Sequence, residues 1–183
     1  MVLPKGNVRI LAVEDGGEAA LLRDAVECFD HSCELFWIGQ PGDLASLLAL
    51  DRPRSLVIIT GHGDERGLIQ ADLAPELRPR QPFNDRLGPS ELKRFGQLQG
   101  SPLLCTACMA WPLADAAIEA GAAWFVGADG YPDGDAAYAF SVAFLYQILA
   151  RGADPATALE RAQQRDDDSA LFRCVWSEPR AHG

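Results

Sequence analysis

Hydrophobic and polar positions along this chain follow two rhythms: short apolar runs of the kind a buried strand needs, and longer stretches with apolar residues at helical spacing. Val8–Val13 reads as a buried strand, Glu18–Phe29 as a helix, and Cys33–Ile38 as a second strand. Pro41-Gly-Asp43 marks a helix start, with the helix continuing over Asp43–Leu50. Leu56–Thr60 is the most β-branched run in the chain and predicts a central strand. Residues 64–88 break the rhythm with prolines and scattered charges, which predicts a long loop or a small hairpin. Pro89–Phe95 then opens a short helix, Pro102–Ala107 forms the fourth strand, and Leu113–Ala120 is a helix ended by Gly121. Ala123–Gly127 is the fifth strand. A long apolar helix over Ala136–Ala150 ends at Gly152, and Asp154-Pro155 restarts a helix to Gln164 as N-cap and first-turn proline. Leu171–Trp176 fits an edge strand. Strands separated by helices throughout predict an α/β fold, a mostly parallel sheet of five to six strands covered on both faces.

Composition adds scale to this pattern. A chain of 183 residues, 48% apolar and 23% charged, supports one full hydrophobic core, so residues 1–183 are expected to form a single domain. Its formal net charge is −10, with 26 acidic residues against 16 basic ones and no basic stripe. Such a surface repels phosphate backbones and anionic lipid, which argues against nucleic acid and membrane as partners and tolerates a basic peptide or protein. No apolar run is long enough to span a bilayer, and Met1–Lys5 lacks the basic-then-apolar design of a signal peptide, so a cytoplasmic location is expected. The odd set of five cysteines, Cys28, Cys33, Cys105, Cys108 and Cys174, fits free thiols in a reducing compartment.

Two strand ends carry the candidate chemistry. Leu56–Thr60 runs into Gly61-His62-Gly63, and the fourth strand runs into Cys108. In an open α/β sheet the carboxyl ends of the strands share one functional edge, so neighbouring third and fourth strands would bring imidazole and thiol together. A neighbouring imidazole and a following helix start at Trp111-Pro112 both favour the thiolate, the nucleophilic form. Gly63 has no side chain to keep its N–H from a substrate, and with the Cys108 N–H it could form an oxyanion hole suited to acyl transfer. Cys105-Thr-Ala-Cys108 also has redox or zinc spacing, but no second pair accompanies it, and strand alternation separates the two thiols, leaving Cys105 as core. Cys28, His31 and Cys33 cluster without a fourth ligand. No metal and no cofactor is called for.

These residues resemble the caspase-like cysteine peptidases, in which a strand ending in His-Gly precedes one ending in Ala-Cys or a similar pair. Ile-Ile-Thr-Gly-His62-Gly63 and Leu-Leu-Cys-Thr-Ala-Cys108 match both halves. The likeness extends to bacterial CHAT domains through the order Ala120-Gly-Ala, Gly130-Tyr-Pro-Asp133, Phe140–Leu149 and Ala153–Ala162, over roughly residues 55–165. Met109-Ala110-Trp111 stands where CHAT domains commonly have Glu-Thr-Gly, and Tyr131 where they commonly carry tryptophan. The resemblance implies a caspase-like (flavodoxin-like) three-layer sandwich. It also implies Cys108 as nucleophile, His62 as general base and then acid, and Gly63 with Cys108 as oxyanion donors toward a protein or peptide substrate.

Asp129, Asp133 and Asp135 follow the fifth strand and would offer an acidic pocket to a lysine or arginine side chain, although aspartates among glycines are also ordinary turn residues. Thr106 is a further pocket candidate. The leading expectation is a cysteine endopeptidase with a His–Cys dyad, cleaving after a basic residue. A catalytically idle caspase-like interaction module is the second reading. A flavodoxin-like receiver or ligand-binding domain is the third, with Glu14-Asp15 after the first strand as its acidic site.

Overall fold

The third strand, Leu-Val-Ile-Ile-Thr, is buried along its whole length because it lies inside a sheet covered on both faces. The structure, a computed structural model, describes residues 6–14 and 16–177. Met1–Lys5 and Asp15, to which the sequence reading gave roles, lie outside the described residues. In chain order the elements are β1 (Asn7–Val13), α1 (Gly16–Cys28), β2 (Ser32–Ile38), α2 (Pro41–Leu48) and β3 (Leu56–Thr60). Three short strands follow, β4 (Gly63–Asp64), β5 (Gly67–Ile69) and β6 (Arg86–Leu87), then α3 (Pro89–Phe95), β7 (Leu103–Cys105) and α4 (Ala114–Glu119). β8 (Trp124–Ala128), α5 (Gly134–Leu145), α6 (Pro155–Gln163) and β9 (Phe172–Trp176) complete the chain.

The main sheet has six strands in the order β2-β1-β3-β7-β8-β9, parallel except for β9, which pairs antiparallel with β8. Alternation along each strand sends one set of side chains to each face. Leu11, Val13, Val57, Ile59, Leu103 and Phe125 pack with α2, α3 and α4. Ile10, Ala12, Leu56, Ile58, Leu104 and Val126 pack with α1, α5 and α6. Phe140 of α5 stacks on Phe172 of β9 with ring centroids 3.8 Å apart, which ties the antiparallel edge strand to the helical layer. The result is the three-layer sandwich that the alternation of patterns predicts.

Departures from the sequence reading cluster between the main strands. Residues 64–88 hold neither a bare loop nor one hairpin: β4, β5 and β6 form a small antiparallel sheet in the order β4-β5-β6, with a 3₁₀ turn at Arg78–Arg80. Strands of two or three residues are too short to show a period of two. β7 stops at Cys105 rather than at Ala107, and Cys108 sits in the turn that follows. Strand alternation therefore does not separate Cys105 from Cys108; burial does, since Cys105 is fully buried and Cys108 only partly. The long helix expected to reach Ala150 is α-helical to Leu145 and closes with a π-turn over Tyr146–Ala150. The Asp154 cap holds, with its carboxylate accepting from the Ala156 and Thr157 N–H groups.

Chain order and strand order together locate the crevice. β2 lies on one side of β1 and β3 on the other, so the connections diverge between the carboxyl ends of β1 and β3, the place where open α/β sheets bind ligands. No described helix is long and apolar enough to cross a membrane.

Truncating the buried Phe140 should cost about 3–5 kcal/mol, because it empties a site stacked between β9 and α5. Urea unfolding of Phe140→Ala checks this; a midpoint equal to that of the wild type would contradict the packing.

Candidate active site

Parallel pairing places the candidate residues in a row. Across the carboxyl edge the chain leaves β1 at Glu14, β3 at Gly61-His62-Gly63, β7 at the Thr106–Met109 turn and β8 at Asp129. Because β3 pairs directly with β7, through Val57↔Leu103, Ile58↔Leu104 and Ile59↔Cys105, His62 and Cys108 emerge from adjacent strands. Thr106 N–H donates to the Ile59 carbonyl at 3.0 Å, carrying the pairing one step beyond β7.

Two glycines let the His62 segment approach its neighbours. Gly61 has φ of 146°, and a Cβ there would lie 2.5 Å from the Val13 carbonyl oxygen, so only glycine turns the chain against β1. At Gly63 an added Cβ would overlap the Cys108 carbonyl oxygen. The segment carrying His62 thus rests directly on the turn carrying Cys108. Ile69 N–H donates to the His62 carbonyl at 2.9 Å, and the register places Gly63 opposite Leu68. Antiparallel alternation makes Gly63↔Leu68 the non-hydrogen-bonded pair, so the Gly63 N–H points away from β5.

The turn at Cys108 is held from the other side by the loop between β8 and α5. Met109, with φ of 49°, donates its N–H to the Gly130 carbonyl at 2.8 Å, and the Cys108 thiol lies 3.8 Å from the Pro132 carbonyl oxygen. Between these contacts the Tyr131 hydroxyl donates to Glu65 Oε1, tying the loop to the β4–β5 turn. The Glu65 carboxylate pushes the Tyr131 phenol up to about 12, and the phenol in turn holds Glu65 below the usual carboxylate range. Burial pushes the Cys108 thiol above the ordinary cysteine value, and the Glu18 carboxylate adds to that rise while the Cys108 N–H opposes it. The His62 ring is exposed and has no hydrogen-bond partner among the described residues. In this arrangement the thiol faces the Pro132 carbonyl.

The expected pocket residues are distributed differently. Asp129 pairs with Arg173 at 2.7 Å, and Asp133 caps α5 by accepting from the Asp135 N–H at 3.0 Å. Thr106 is buried with its hydroxyl unpartnered, as is Thr60 at the end of β3 beside it. Cys105 lies in the core, where burial pushes its thiol up to about 12. Among the described residues no group of three or more His, Cys, Asp or Glu side chains is placed to hold a metal ion.

Sequence reading missed Glu14, Thr60, Glu65 and Tyr131 as parts of this edge. Thr60 carried a signal, a polar residue closing an otherwise apolar run. Glu65 and Tyr131 are far apart in sequence, and nothing local announces their bond. Glu14, read only as part of a receiver-like acidic pair, has φ of 63° and lines a cleft of about 680 Å³ under the 69–86 segment.

A thiol raised by burial should alkylate with a rate that climbs through and beyond pH 9, without a plateau near neutrality. Iodoacetamide kinetics measure this, and a plateau below pH 7 would indicate a preformed thiolate–imidazolium pair instead. Tyr131→Phe removes the tie to Glu65 and should speed alkylation of Cys108 at fixed pH. An unchanged rate would mean the loop is held by other contacts.

No family model matches the chain, and no curated protein matches it by sequence. Among solved structures it is similar to separase in the separase–securin complex of Saccharomyces cerevisiae, with a TM-score of 0.62 at 11% identity, over 96% of this chain. The chain spans 12% of that separase chain's length. At such identity the likeness concerns the fold alone, and the fold is the caspase-like three-layer sandwich.

Proposed function

We propose that this chain is a caspase-like cysteine endopeptidase acting through a His62–Cys108 dyad. The observation that supports it most is the contact of Gly63 with the Cys108 turn, which sets histidine-bearing and cysteine-bearing backbones against each other on the functional edge. Rotation of the Cys108 side chain away from the Pro132 carbonyl brings the thiol to the imidazole. His62 takes the thiol proton as sulfur attacks the substrate carbonyl carbon, and the carbonyl oxygen becomes an oxyanion. The Gly63 and Cys108 N–H groups stabilise it. On collapse the carbon–nitrogen bond breaks and His62 hands its proton to the departing amine. Water, deprotonated by His62, then hydrolyses the thioester and restores the thiol.

The residue before the cleaved bond is basic in this reading. A net charge of −10 attracts cationic peptides, and the exposed Asp129–Arg173 pair is weak enough to exchange Arg173 for a substrate cation. Thr106, buried beside Thr60, completes that pocket. The partner is a protein substrate, and the likeness to a separase crystallised with a protein partner agrees with this. Five free cysteines suit a reducing cytoplasm. The order of segments after Cys108 supports reading a CHAT-like member of this group.

An idle interaction module is favoured by one observation, the Cys108 thiol turned toward the Pro132 carbonyl, where burial raises its pKa. Hydrolysis of a random peptide library separates the two. Cys108→Ala should abolish turnover and His62→Ala should lower it by at least about 100-fold, the usual scale of general acid–base catalysis. Turnover retained in Cys108→Ala, or absent from the wild type, would leave the module reading.

A further inference from the structure

β2 closes one side of the main sheet and pairs only with β1, in unbroken register from Asn7↔Ser32 to Val13↔Ile38. Natural sheets protect such an edge with proline, lysine, a bulge or a covering segment. This edge, Ser-Cys-Glu-Leu-Phe-Trp-Ile, has none of the first three, and only Ile38 in it is buried. Its single charged residue, Glu34, is held by Arg9 at 3.1 Å and Arg54 at 3.5 Å. Among the described residues no backbone hydrogen bond reaches β2 from any strand but β1. Every second residue of the strand therefore turns its N–H and C=O outward, with no described group to receive them.

The side chains along this edge indicate what it pairs with. Cys33, Leu35 and Trp37 stand opposite Val8, Ile10 and Ala12 of β1, which face the layer of α1, α5 and α6. Trp37 is 61% exposed. Arg23 and Glu27 of α1 flank Cys33: burial pushes that thiol up to about 12, Glu27 adds to the rise and Arg23 opposes it. An aromatic ring thus stands two residues to one side of Leu35, and beside the position two residues to the other side stands a guanidinium, 42% exposed. Turning the strand end for end about Leu35 exchanges the two.

We infer that β2 is the interface of a two-fold homodimer, in which the strands of two copies pair antiparallel about Leu35 and join their sheets into one. Trp37 of each copy then lies opposite Cys33 of the other, on the same face, and stacks on that copy's Arg23. Phe36 lies opposite Glu34, so no carboxylate of β2 stands directly against its like. α1 packs on both β1 and β2, and with paired strands about 4.8 Å apart the two copies' helices come within about 10 Å, an ordinary packing distance. Two strand residues rise about as far as four helical ones, so the helices meet near Ala20, which lies on the same flank of α1 as Arg23 and Glu27. A small side chain at that level leaves room for the approach. Two chains of net charge −10 repel at long range, but physiological salt screens this beyond about 8 Å. A different protein would have to bring an aromatic ring and a cation at this spacing, whereas a second copy carries both. The pairing is independent of any reaction at Cys108, since β1 and β3 lie between β2 and the strand that carries it.

Sedimentation velocity over a range of concentrations tests this. The wild-type chain should be mostly dimeric at about 100 µM and dissociate on dilution. Trp37→Ala removes an exposed side chain and should weaken the dimer at least about 30-fold, the scale of a central aromatic anchor. Ala20→Arg should also weaken it, by setting two guanidinium groups against each other at the axis. Trp176→Ala, on the opposite edge strand β9, should leave it unchanged. Amide exchange over residues 32–38 should be slow in the dimer and quicken on dilution. A chain that stays monomeric at the highest concentration would overturn the pairing and leave β2 to a different protein. A dimer that survives both Trp37→Ala and Ala20→Arg, or that Trp176→Ala dissolves, would overturn it too, because its interface would lie elsewhere.

Discussion

Parallel pairing of β3 with β7 is the constraint on which the rest of the site depends. Both strands are buried on both faces, so their register is fixed by two cores at once, and a slip of one residue would turn Ile59 and Cys105 toward the wrong layer. Locked this way, the two strand ends have little freedom in where they deliver the chain. His62 and Cys108 are neighbours because hydrophobic side chains several residues earlier leave no alternative. Rigid delivery of side chains from flexible-looking turns is how such sheets carry chemistry at their carboxyl edge.

Around that fixed pair the structure is asymmetric. On the β8 side a loop supplies the Gly130 and Pro132 carbonyls to the Cys108 turn and is tied across to Glu65. On the β1 side the chain opens into a cleft under the 69–86 segment, with arginines already neutralised by their acidic neighbours. The Cys108 thiol is therefore half-buried against the Pro132 carbonyl while the His62 imidazole is exposed.

Much of this was legible in the sequence where hydrophobic patterning is long enough to speak. β1, β2, β3, β8 and β9 each show an apolar run, and the Asp154-Pro155 helix start is written in capping chemistry. The strand ends at His62 and Cys108 followed from those runs. What stayed hidden depends on contacts between distant residues: the Tyr131–Glu65 bond, the Asp129–Arg173 pair, and the burial that raises Cys108. The small β4-β5-β6 sheet was hidden for another reason, since its strands are shorter than one readable repeat. Thr106 and Ala107 were read as the end of the strand because they continue its buried run, and only the left-handed Met109 reveals the bend.

Gly63 has a bearing on how relatives of this chain would diverge. Its missing side chain is demanded by the Cys108 carbonyl oxygen pressed against it, whether or not any bond is ever cleaved. A descendant that lost its chemistry would still keep this glycine to preserve its backbone packing, while nothing structural would oblige it to keep the exposed His62. Retention of the glycine in a lineage thus records inheritance of the fold, and retention of the histidine beside it would record selection for the proposed reaction.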